Sequence, residues 1–541
     1  MYPVRLDTAY FPAQHDEPIR DTTIGNVLIE AATEAPDAEA LVEARADGSI
    51  GRRFTYSQLL SEAERLADSL ATRYAPGERI AIWSPNTPEW ALLEFAAALA
   101  GLVLVTVNPA YQAKELAYVL QQSRSVGLFL VRECRGNPMA EIAREVCADL
   151  PQIREVIDLD DPGALFAMDG PMPTRREVHP DDPAQVQYTS GTTGFPKGAV
   201  LSHRSLTNNA HFSMSRMGAQ RGDTYLNVMP MFHTVGCSIG LLGSVQLRCR
   251  LVMARLFEPA NVMALIEAER VALVIAVPTM LIAMLEAHAR QPRDTQSLRM
   301  VVSGGAMVPP ELITRLQGAF GCNFTIIFGQ TETSPVLTQT RASDGWTERV
   351  ETIGQAIPNT ELSVRDSGNN QVAAIGAIGE ICARGYCNML GYNDNPEATA
   401  RAIDADGWLH TGDLGTMDAR GYLRITGRLK DMIIRGGENM FPAEIENALI
   451  THPDIAEVAV VGVPDPRWGE IVIAFLRPRA ATQLLVADLV RHVRRELAAP
   501  KTPAHWIVLD AFPLTGSGKI QKFVLRDRYL AGDYSGQVLE A

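Results

Sequence analysis

One short segment of the chain concentrates the residue types that bind polyphosphate. Residues 188–198 read Tyr-Thr-Ser-Gly-Thr-Thr-Gly-Phe-Pro-Lys-Gly, with three glycines, five hydroxyl side chains and one lysine. Glycine lets backbone N–H groups approach an anion closely, hydroxyls donate hydrogen bonds, and the lysine adds a positive charge. The segment therefore predicts a loop that binds the phosphates of a nucleotide.

This loop differs from the P-loop of kinases and ATPases. That motif needs Gly-Lys followed by Ser or Thr, whose hydroxyl holds magnesium. Here Pro196 precedes Lys197 and Gly198 follows it. The loop therefore lacks the residues that P-loop enzymes use for direct phosphoryl transfer. A Gly/Ser-rich stretch is often a flexible linker, but the run 184–188 predicts a strand that leads straight into this one.

Five further motifs follow the loop along the chain. They are Phe328-Gly-Gln-Thr-Glu332, Thr411-Gly-Asp413, Gly427-Arg-Leu-Lys-Asp431, Gly436-Gly-Glu-Asn-Met-Phe-Pro-Ala-Glu-Ile-Glu446 and Pro513-Leu-Thr-Gly-Ser-Gly-Lys519. Together with the loop they resemble, in order and over most of the chain, the signature motifs of the adenylate-forming superfamily, the AMP-dependent synthetases and ligases. One match could arise by chance, whereas an ordered series argues for the family.

The resemblance implies a reaction in two steps. A carboxylate attacks the α-phosphorus of ATP to give an acyl-adenylate and pyrophosphate, and the thiol of coenzyme A then displaces AMP. Both reactants of the first step are anions, so placed positive charges must offset their repulsion. ATP, Mg²⁺, coenzyme A and a small carboxylic acid are the implied ligands.

The resemblance also assigns residues to the nucleotide and the metal. Lys519, Glu332, Thr189, Lys197 and His233 are expected to take part in catalysis, with Glu332 and Thr189 at the metal. The expected ATP and AMP contacts are Thr189, Ser190, Gly191, Thr192, Thr193, Gly194, Lys197, Gly304, Gly305, Ala306, Phe328, Gly329, Gln330, Thr331, Asp413, Ile425, Arg428 and Lys519.

Further positions follow from the same resemblance. Lys430 would be a hinge, and Gly436 and Gly437 would line the channel for coenzyme A. The expected acyl pocket consists of Met229, Phe232, His233, Val235, Ile239, Met307 and Val308. The segment 224–257 that contributes most of them holds no Asp or Glu, which favours an uncharged acyl chain over an amino acid.

Some of these residues have simpler interpretations. Lys519 follows a glycine-rich turn, where a solvated lysine is common, and Glu332 could cap a helix or lie on the surface. A lone histidine in an apolar segment, such as His233, is usually a packed core residue. The match to the family's motifs favours the functional interpretation in each case.

The elements that must position these residues follow an α/β pattern. Short apolar runs at 79–84, 102–107, 126–131, 271–277, 298–303 and 324–328 alternate with helical stretches such as 58–72. Buried strands that alternate with helices predict parallel sheets covered on both faces. In such sheets ligands bind at the carboxyl ends of strands, where several of the motifs lie.

The length and a change of pattern indicate two domains. A chain of 541 residues exceeds one simple core. We expect a large N-terminal adenylation domain over residues 1–429 and a small α+β lid over residues 430–541, joined by the hinge. The lid is predicted from helices at 443–449 and 484–498 and from strands at 456–462, 470–476 and 505–509.

Composition excludes several classes of protein. A formal charge of −14 disfavours nucleic acid as a partner. The seven cysteines form no Cys-x-x-Cys pair, and their odd number favours reduced thiols without a zinc site. No apolar run is long enough to span a membrane, and the first residues do not resemble a signal peptide. We expect a cytoplasmic protein, with peripheral membrane contact and a homodimer as open alternatives.

The interpretation that accounts for all these features is an ATP-dependent acyl-CoA synthetase, with a medium-chain fatty acid as the expected substrate. An aromatic, cyclic or steroid-side-chain acid is the rival substrate class. Amino-acid activation for transfer to a carrier protein is a second rival, although no carrier segment follows Lys519. A catalytically inactive homologue that binds acyl groups or nucleotide is a rival of a different class.

Overall fold

The computed structural model describes residues 1–171, 176–189, 196–436, 438–479, 484–516 and 518–539. Strands form where the apolar runs predict them, and the helix expected at 58–72 spans Tyr56–Arg73. Its first turn is closed by a reciprocal pair of hydrogen bonds. The N–H of Gln58 donates to the Thr55 hydroxyl at 3.2 Å, and the N–H of Thr55 donates to the Gln58 side chain at 2.9 Å.

The helices and strands are numbered in chain order. The strands are β1 (Tyr10–Phe11), β2 (Glu39–Ala44), β3 (Ile50–Thr55), β4 (Arg79–Trp83), β5 (Val103–Val107), β6 (Gly127–Leu130), β7 (Glu155–Asp158), β8 (Pro183–Tyr188), β9 (Gly198–Ser202), β10 (Thr224–Asn227), β11 (Arg250–Ala254), β12 (Leu273–Ile275), β13 (Met300–Gly304), β14 (Asn323–Gly329), β15 (Val336–Gln339), β16 (Gln355–Ala356), β17 (Thr360–Arg365), β18 (Gly379–Gly385), β19 (Gly391–Tyr392), β20 (Leu409–Met417), β21 (Leu423–Arg428), β22 (Ile433–Arg435), β23 (Glu438–Met440), β24 (Ile455–Asp465), β25 (Gly469–Pro478) and β26 (His505–Val508). The α-helices are α1 (Ile24–Glu34), α2 (Tyr56–Arg73), α3 (Pro88–Ala100), α4 (Ala113–Ser123), α5 (Met139–Ala148), α6 (Pro162–Leu165), α7 (His203–Arg216), α8 (Ser244–Gln246), α9 (Pro259–Ala268), α10 (Pro278–Arg290), α11 (Pro310–Phe320), α12 (Trp346–Glu351), α13 (Pro396–Ala402), α14 (Pro442–Ile450), α15 (Val486–Glu496) and α16 (Lys522–Ala531). A π-helix spans Val235–Gly243, and 3₁₀ turns span Thr331–Thr333 and Ala499–Lys501.

Two large sheets form the centre of the molecule. One has the order β19-β9-β8-β5-β4-β6-β7, and the other has the order β16-β15-β14-β13-β12-β10-β11-β2-β3. The strands β8, β5, β4, β6 and β7 of the first sheet are parallel, as are β14, β13, β12, β10, β11 and β2 of the second. One continuous apolar core includes residues of both sheets and of the helices that cover them. The predicted α/β architecture is confirmed for this part of the chain.

A third sheet differs from the prediction of parallel strands. Its order is β1-β17-β18-β20-β21, and every neighbouring pair is antiparallel. The connection from β20 to β21 is a tight turn in which Gly421 has φ +77° and donates its N–H to the Asp418 carbonyl at 2.9 Å. A turn this short imposes an antiparallel pair. The motif residues Asp413 and Arg428 lie on these two strands.

The C-terminal part of the chain forms a separate small sheet. Its strands have the order β23-β22-β25-β24, and β26 pairs in parallel with β25. An apolar cluster that includes α14 and α15 covers one face, and a second cluster that includes Leu525 of α16 covers the other. The sheet therefore has a core on both faces. A domain boundary at residue 429 stays a prediction.

Two findings concern the properties expected from composition. All seven cysteines are free thiols. Within the described parts of the chain, no helix combines the length and the apolar character that a transmembrane span requires.

Candidate active site

The two ends of the phosphate loop lie side by side. Strands β8 and β9 are antiparallel neighbours, with Tyr188 opposite Gly198. The backbone N–H of Thr189 donates to the Lys197 carbonyl at 2.9 Å. The hairpin thus brings the Thr189 hydroxyl and the Lys197 ammonium to one end of the first sheet. Five predicted contacts of the loop lie outside the described residues: Ser190, Gly191, Thr192, Thr193 and Gly194.

Glu332 lies just beyond the carboxyl end of β14. A methyl group at Gly329 would come within 1.9 Å of the Pro335 carbonyl oxygen, so only glycine fits where the chain turns. The turn that follows carries Gln330 and Thr331 and presents Glu332, whose Oε1 accepts a hydrogen bond of 2.7 Å from the Tyr392 hydroxyl. Among the described residues we find no hydrogen bond to the second carboxylate oxygen.

This donor set fits Mg²⁺, the metal that the resemblance to the adenylate-forming superfamily implies. Mg²⁺ in nucleotide sites binds one or two carboxylates and completes its shell with phosphate oxygens and water. Glu332 offers a carboxylate oxygen on the same side of the site as Lys197, since both side chains contact Tyr392. The residues present therefore fit Mg²⁺, with Glu332 and the Thr189 hydroxyl as the groups that would hold it.

Asp413 and Arg428 form an ion pair in which Asp413 is buried and the Arg428 side chain is about half exposed. They are opposite each other on β20 and β21, and Arg428 Nε donates to Asp413 Oδ1 at 2.7 Å. Burial raises the pKa of Asp413, and Arg428 opposes this shift. The charge of Asp413 in turn raises the pKa of Arg428. Ile425 of β21 pairs with Gly415 of β20, and this register keeps the ion pair at the end of the sheet.

Lys519 reaches this site from the C-terminal part of the chain. A methyl group at Gly305 would lie 2.9 Å from Lys519 Cε, and the Thr279 hydroxyl donates to the Gly518 carbonyl at 3.1 Å. Burial and the positive charge of Arg428 lower the pKa of Lys519, whereas Asp413 and Glu332 oppose the shift. The charges of Asp413 on β20, of Arg428 on β21 and of Glu332 in the turn after β14 therefore all act on the Lys519 ammonium group.

The residues expected at adenine are small and closely packed. Gly304 ends β13, and a methyl group there would lie 2.3 Å from the Ile327 carbonyl oxygen. Gly305 has φ +75° and packs on Lys519. Ala306 follows in the same turn, and Phe328 lies on the neighbouring strand β14. The structure thus places small residues at 304–306, where the sequence analysis expects adenine.

His233 belongs to the expected acyl pocket, and the charge of Lys519 acts on its ring. Burial lowers the pKa of His233 to about 3, with a further contribution from the positive charge of Lys519, so the ring is neutral at pH 7. Its carbonyl accepts the N–H of Gly236 at 2.8 Å. A methyl group at Gly236 would lie 2.2 Å from the Pro230 carbonyl, so the tight turn that presents His233 requires glycine.

The other residues of the expected acyl pocket are apolar and differ in exposure. Met229, Ile239 and Val308 are buried, Phe232 and Val235 are half-buried, and Met307 is 38% exposed. Val235 and Ile239 lie on the π-helix, a form of helix that occurs often at functional sites.

The expected hinge and the expected coenzyme A channel lie farther along the chain. Lys430 is exposed in the turn that follows β21, where the N–H of Asp431 donates to the Arg428 carbonyl at 3.1 Å. Gly436 has φ +60°, and its N–H donates to the Trp468 carbonyl at 2.7 Å. Gly437 lies outside the described residues. Trp468 is 41% exposed.

Four residues that the sequence analysis did not select lie at or next to the site. Tyr392 bonds Glu332. Glu380 of β18 accepts the backbone N–H of Gly412 at 2.9 Å and pairs with His410 Nδ1 at 2.8 Å, and thereby holds the turn before Asp413. Cys382 lies beside this pair, within 4.8 Å. The alternation of side chains along β18 could have placed Glu380 and Cys382 on one face, whereas nothing local indicated Tyr392.

Comparisons with known proteins agree with this geometry. A family model of the AMP-binding enzymes matches residues 28–393, and a model of the AMP-binding enzyme C-terminal domain matches residues 444–519. YngI of Bacillus subtilis (strain 168), assigned by its name to the acyl-CoA synthetases, is 38% identical over 94% of this chain and 97% of its own. The human mitochondrial medium-chain acyl-CoA ligase ACSF2 is 33% identical over 94% of this chain and 88% of its own.

A solved structure is similar over nearly the whole chain. The o-succinylbenzoate CoA synthetase MenE of Bacillus subtilis, in complex with its acyl-adenylate intermediate, superimposes with a TM-score of 0.80 at 28% identity and covers 94% of this chain and 98% of its own. The chain belongs to the AMP-binding enzymes, the adenylate-forming family. Within that family it is an AMP-forming acid–CoA ligase of the acyl-CoA synthetase type, with ATP and coenzyme A as co-substrates.

The pairing of Glu380 with His410 predicts a dependence of stability on pH. The hydrogen bond to Glu380 raises the pKa of His410. The stabilisation that this pair gives the folded state is fully present below the pKa of His410 in the unfolded chain, about 6.5. It is lost as pH rises through the raised pKa of the folded state. Replacement His410→Gln should therefore lower the midpoint of thermal unfolding more at acidic than at alkaline pH. A difference between the two proteins that grows with pH would contradict this role.

Proposed function

We propose that the protein converts a medium-chain fatty acid to its CoA thioester through an acyl-adenylate. The observation that carries the proposal is the packing of Lys519 on Gly305, where the charges of Glu332, Asp413 and Arg428 act on it, together with the absence of acidic residues from the segment 224–257. A site of this kind combines charges for the nucleotide with an uncharged wall for the acyl chain. The medium-chain ligase ACSF2, which is similar over most of the chain, supports the choice of substrate.

The nucleotide is held at three places in this proposal. Lys197 and the hydroxyl and amide groups of the loop bind the β- and γ-phosphates. Asp413 accepts hydrogen bonds from the ribose hydroxyls, a role that carboxylates take in other nucleotide sites, and Arg428 keeps its charge in place. Adenine lies beside Gly304 and Gly305. Mg²⁺ held by Glu332 would neutralise phosphate charge.

Lys519 acts in the first step. Negative charge grows on the α-phosphate oxygens as the carboxylate attacks, and an ammonium group already in position stabilises that charge without reorganisation. Burial favours this role because the interaction is stronger away from water. The neutral ring of His233, next to Lys519, orients the substrate carboxylate and closes the acyl pocket without adding a charge.

The second step needs a different arrangement of the C-terminal unit. Lys519 must withdraw so that a thiol reaches the adenylate, and a rotation about Lys430 would accomplish this. The boundary between the two domains then falls between residues 429 and 430. Gly436 would line the channel for coenzyme A, and Trp468 lies beside it with Arg435 and Arg467 over its ring at 5.5 and 5.0 Å.

The rival interpretations differ in what they require of the pocket. An aromatic acid is supported by the similarity to MenE, whose complex holds an o-succinylbenzoyl-adenylate. An inactive homologue is disfavoured because Lys519, Glu332, Asp413 and Lys197 are all present. We infer a cytoplasmic location from the free thiols, which suit a reducing compartment.

Replacement Lys519→Ala should separate the two half-reactions. Formation of acyl-AMP, measured by ATP–pyrophosphate exchange, should fall by about 10²-fold or more, as on removal of one transition-state donor. Conversion of supplied acyl-AMP with coenzyme A should stay near the wild-type rate. Lys522→Ala is the matched control, since Lys522 pairs with Glu446 within the C-terminal unit. Equal losses in both half-reactions would assign Lys519 a structural role.

The acyl pocket predicts a dependence on chain length. Each buried methylene contributes about 0.8 kcal/mol, so kcat/KM should rise roughly three- to fourfold per carbon until the pocket is full. We expect the maximum among medium-chain acids. Rates with acetate, butyrate, hexanoate, octanoate, dodecanoate, phenylacetate and leucine test this. A flat series or a preference for leucine would refute the pocket, and a preference for phenylacetate would favour the aromatic rival.

Trp468 offers a test of the coenzyme A channel. If its exposed ring stacks on the nucleotide base of coenzyme A, Trp468→Leu should raise KM for coenzyme A by roughly tenfold, within the range for base stacking, and leave KM for ATP unchanged. Trp346→Leu is the control, because Trp346 is equally exposed and also carries an arginine, Arg349, over its ring. Similar effects of both replacements would argue against the channel.

A further inference from the structure

Tyr392 is held rigidly beside the phosphate loop. It lies on β19, which pairs antiparallel with β9, and Tyr392 is opposite Ala199. The N–H of Tyr392 donates to the Thr399 hydroxyl at 2.9 Å, and the next N–H along the chain, of Asn393, donates to the Gly198 carbonyl at 2.7 Å. Backbone bonds on both sides therefore fix the position from which this side chain projects.

The side chain contacts two opposite charges. Its hydroxyl donates to Glu332 Oε1 at 2.7 Å, and Lys197 Nζ lies 4.9 Å from the centre of its ring. A carboxylate accepts strongly from a phenol, and an ammonium group is attracted to the face of an aromatic ring. One tyrosine thus orients the carboxylate expected at the metal and the cation expected at the phosphates.

The arrangement also keeps these two charges apart. Within the part of the chain that the structure describes, Lys197 and Glu332 form no ion pair with each other. A direct pair would satisfy each charge with the other, and the ligand would have to break it. The tyrosine between them holds each in place with a weaker, neutral partner, so both charges stay available for a metal–nucleotide complex.

We propose that Tyr392 is a positioning residue of the adenylation site, which aligns Glu332 through its hydroxyl and Lys197 through its ring and prevents their direct pairing. The proposal rests on the roles proposed above for Lys197 and Glu332. It extends them because it predicts separate consequences for the loss of the hydroxyl and of the ring. A tyrosine that only supports the pairing of β9 with β19 would show neither of these consequences.

Three variants separate these contributions. Tyr392→Phe removes the hydroxyl and keeps the ring, and Tyr392→Leu removes both. Tyr10→Phe is the matched control, because the Tyr10 hydroxyl also donates to a glutamate, Glu361, at 2.6 Å, on an outer strand of the antiparallel sheet. The midpoint of thermal unfolding of each variant shows whether the fold is retained.

Binding measurements without turnover supply the test. Mn²⁺ in place of Mg²⁺ is titrated by electron paramagnetic resonance with α,β-methylene-ATP present, and metal-free ATP is titrated by calorimetry in EDTA. Tyr392→Phe should weaken Mn²⁺ binding by about 10- to 100-fold, as loss of a bond to a metal-ligating carboxylate does, and leave metal-free ATP binding unchanged. Tyr392→Leu should weaken both, metal-free ATP by about three- to tenfold.

Each other outcome overturns part of the proposal or its basis. Wild-type Mn²⁺ binding by Tyr392→Phe would exclude a role for the hydroxyl. Metal-free ATP binding that is unchanged in Tyr392→Leu would exclude a role for the ring. Glu332→Gln in the same titration distinguishes failure of the proposed function, because wild-type Mn²⁺ binding by that variant would mean that Glu332 is not at the metal.

Discussion

The candidate site depends on one electrostatic balance, that of a partly buried lysine ammonium group among charged side chains. Burial and the positive charge of Arg428 lower the pKa of Lys519, and the negative charges of Asp413 and Glu332 raise it in part again. Asp413 and Arg428 lie on β20 and β21, Glu332 lies in the turn after β14, and the lysine comes from the C-terminal unit. The charges are therefore complete only when the two parts of the chain are together, and chemistry that needs the lysine is confined to that arrangement.

Residue types and spacing predicted much of this site. Glycine at positions 304, 305 and 329 is required because a larger side chain would meet backbone or Lys519 within 3 Å. A residue type that is required in this way can be recognised in the sequence motif. The same holds for Asp413 and Arg428, whose motifs lie at the ends of strands that the structure pairs. The parallel sheets were equally predictable, since buried strands between helices leave few alternatives.

The parts that sequence reasoning missed depend on contacts between distant segments. Tyr392 reaches Glu332 because β19 pairs with β9, and no local pattern encodes that pairing. Glu380 supports Asp413 across two strands of the antiparallel sheet, which the prediction of parallel strands did not include. A tyrosine and a glutamate have many structural uses, so their types alone indicated no role in the site.

The C-terminal sheet carries apolar residues on both faces, and these form its own two cores. Its contacts with the rest of the molecule include small polar ones, such as the bond from Thr279 to Gly518 and the ion pair of Arg479 with Glu311 at 3.2 Å. If this unit rotates as proposed above, both cores stay covered. Under that proposal, substitutions on the interface would change the timing of the catalytic cycle without disturbing either core.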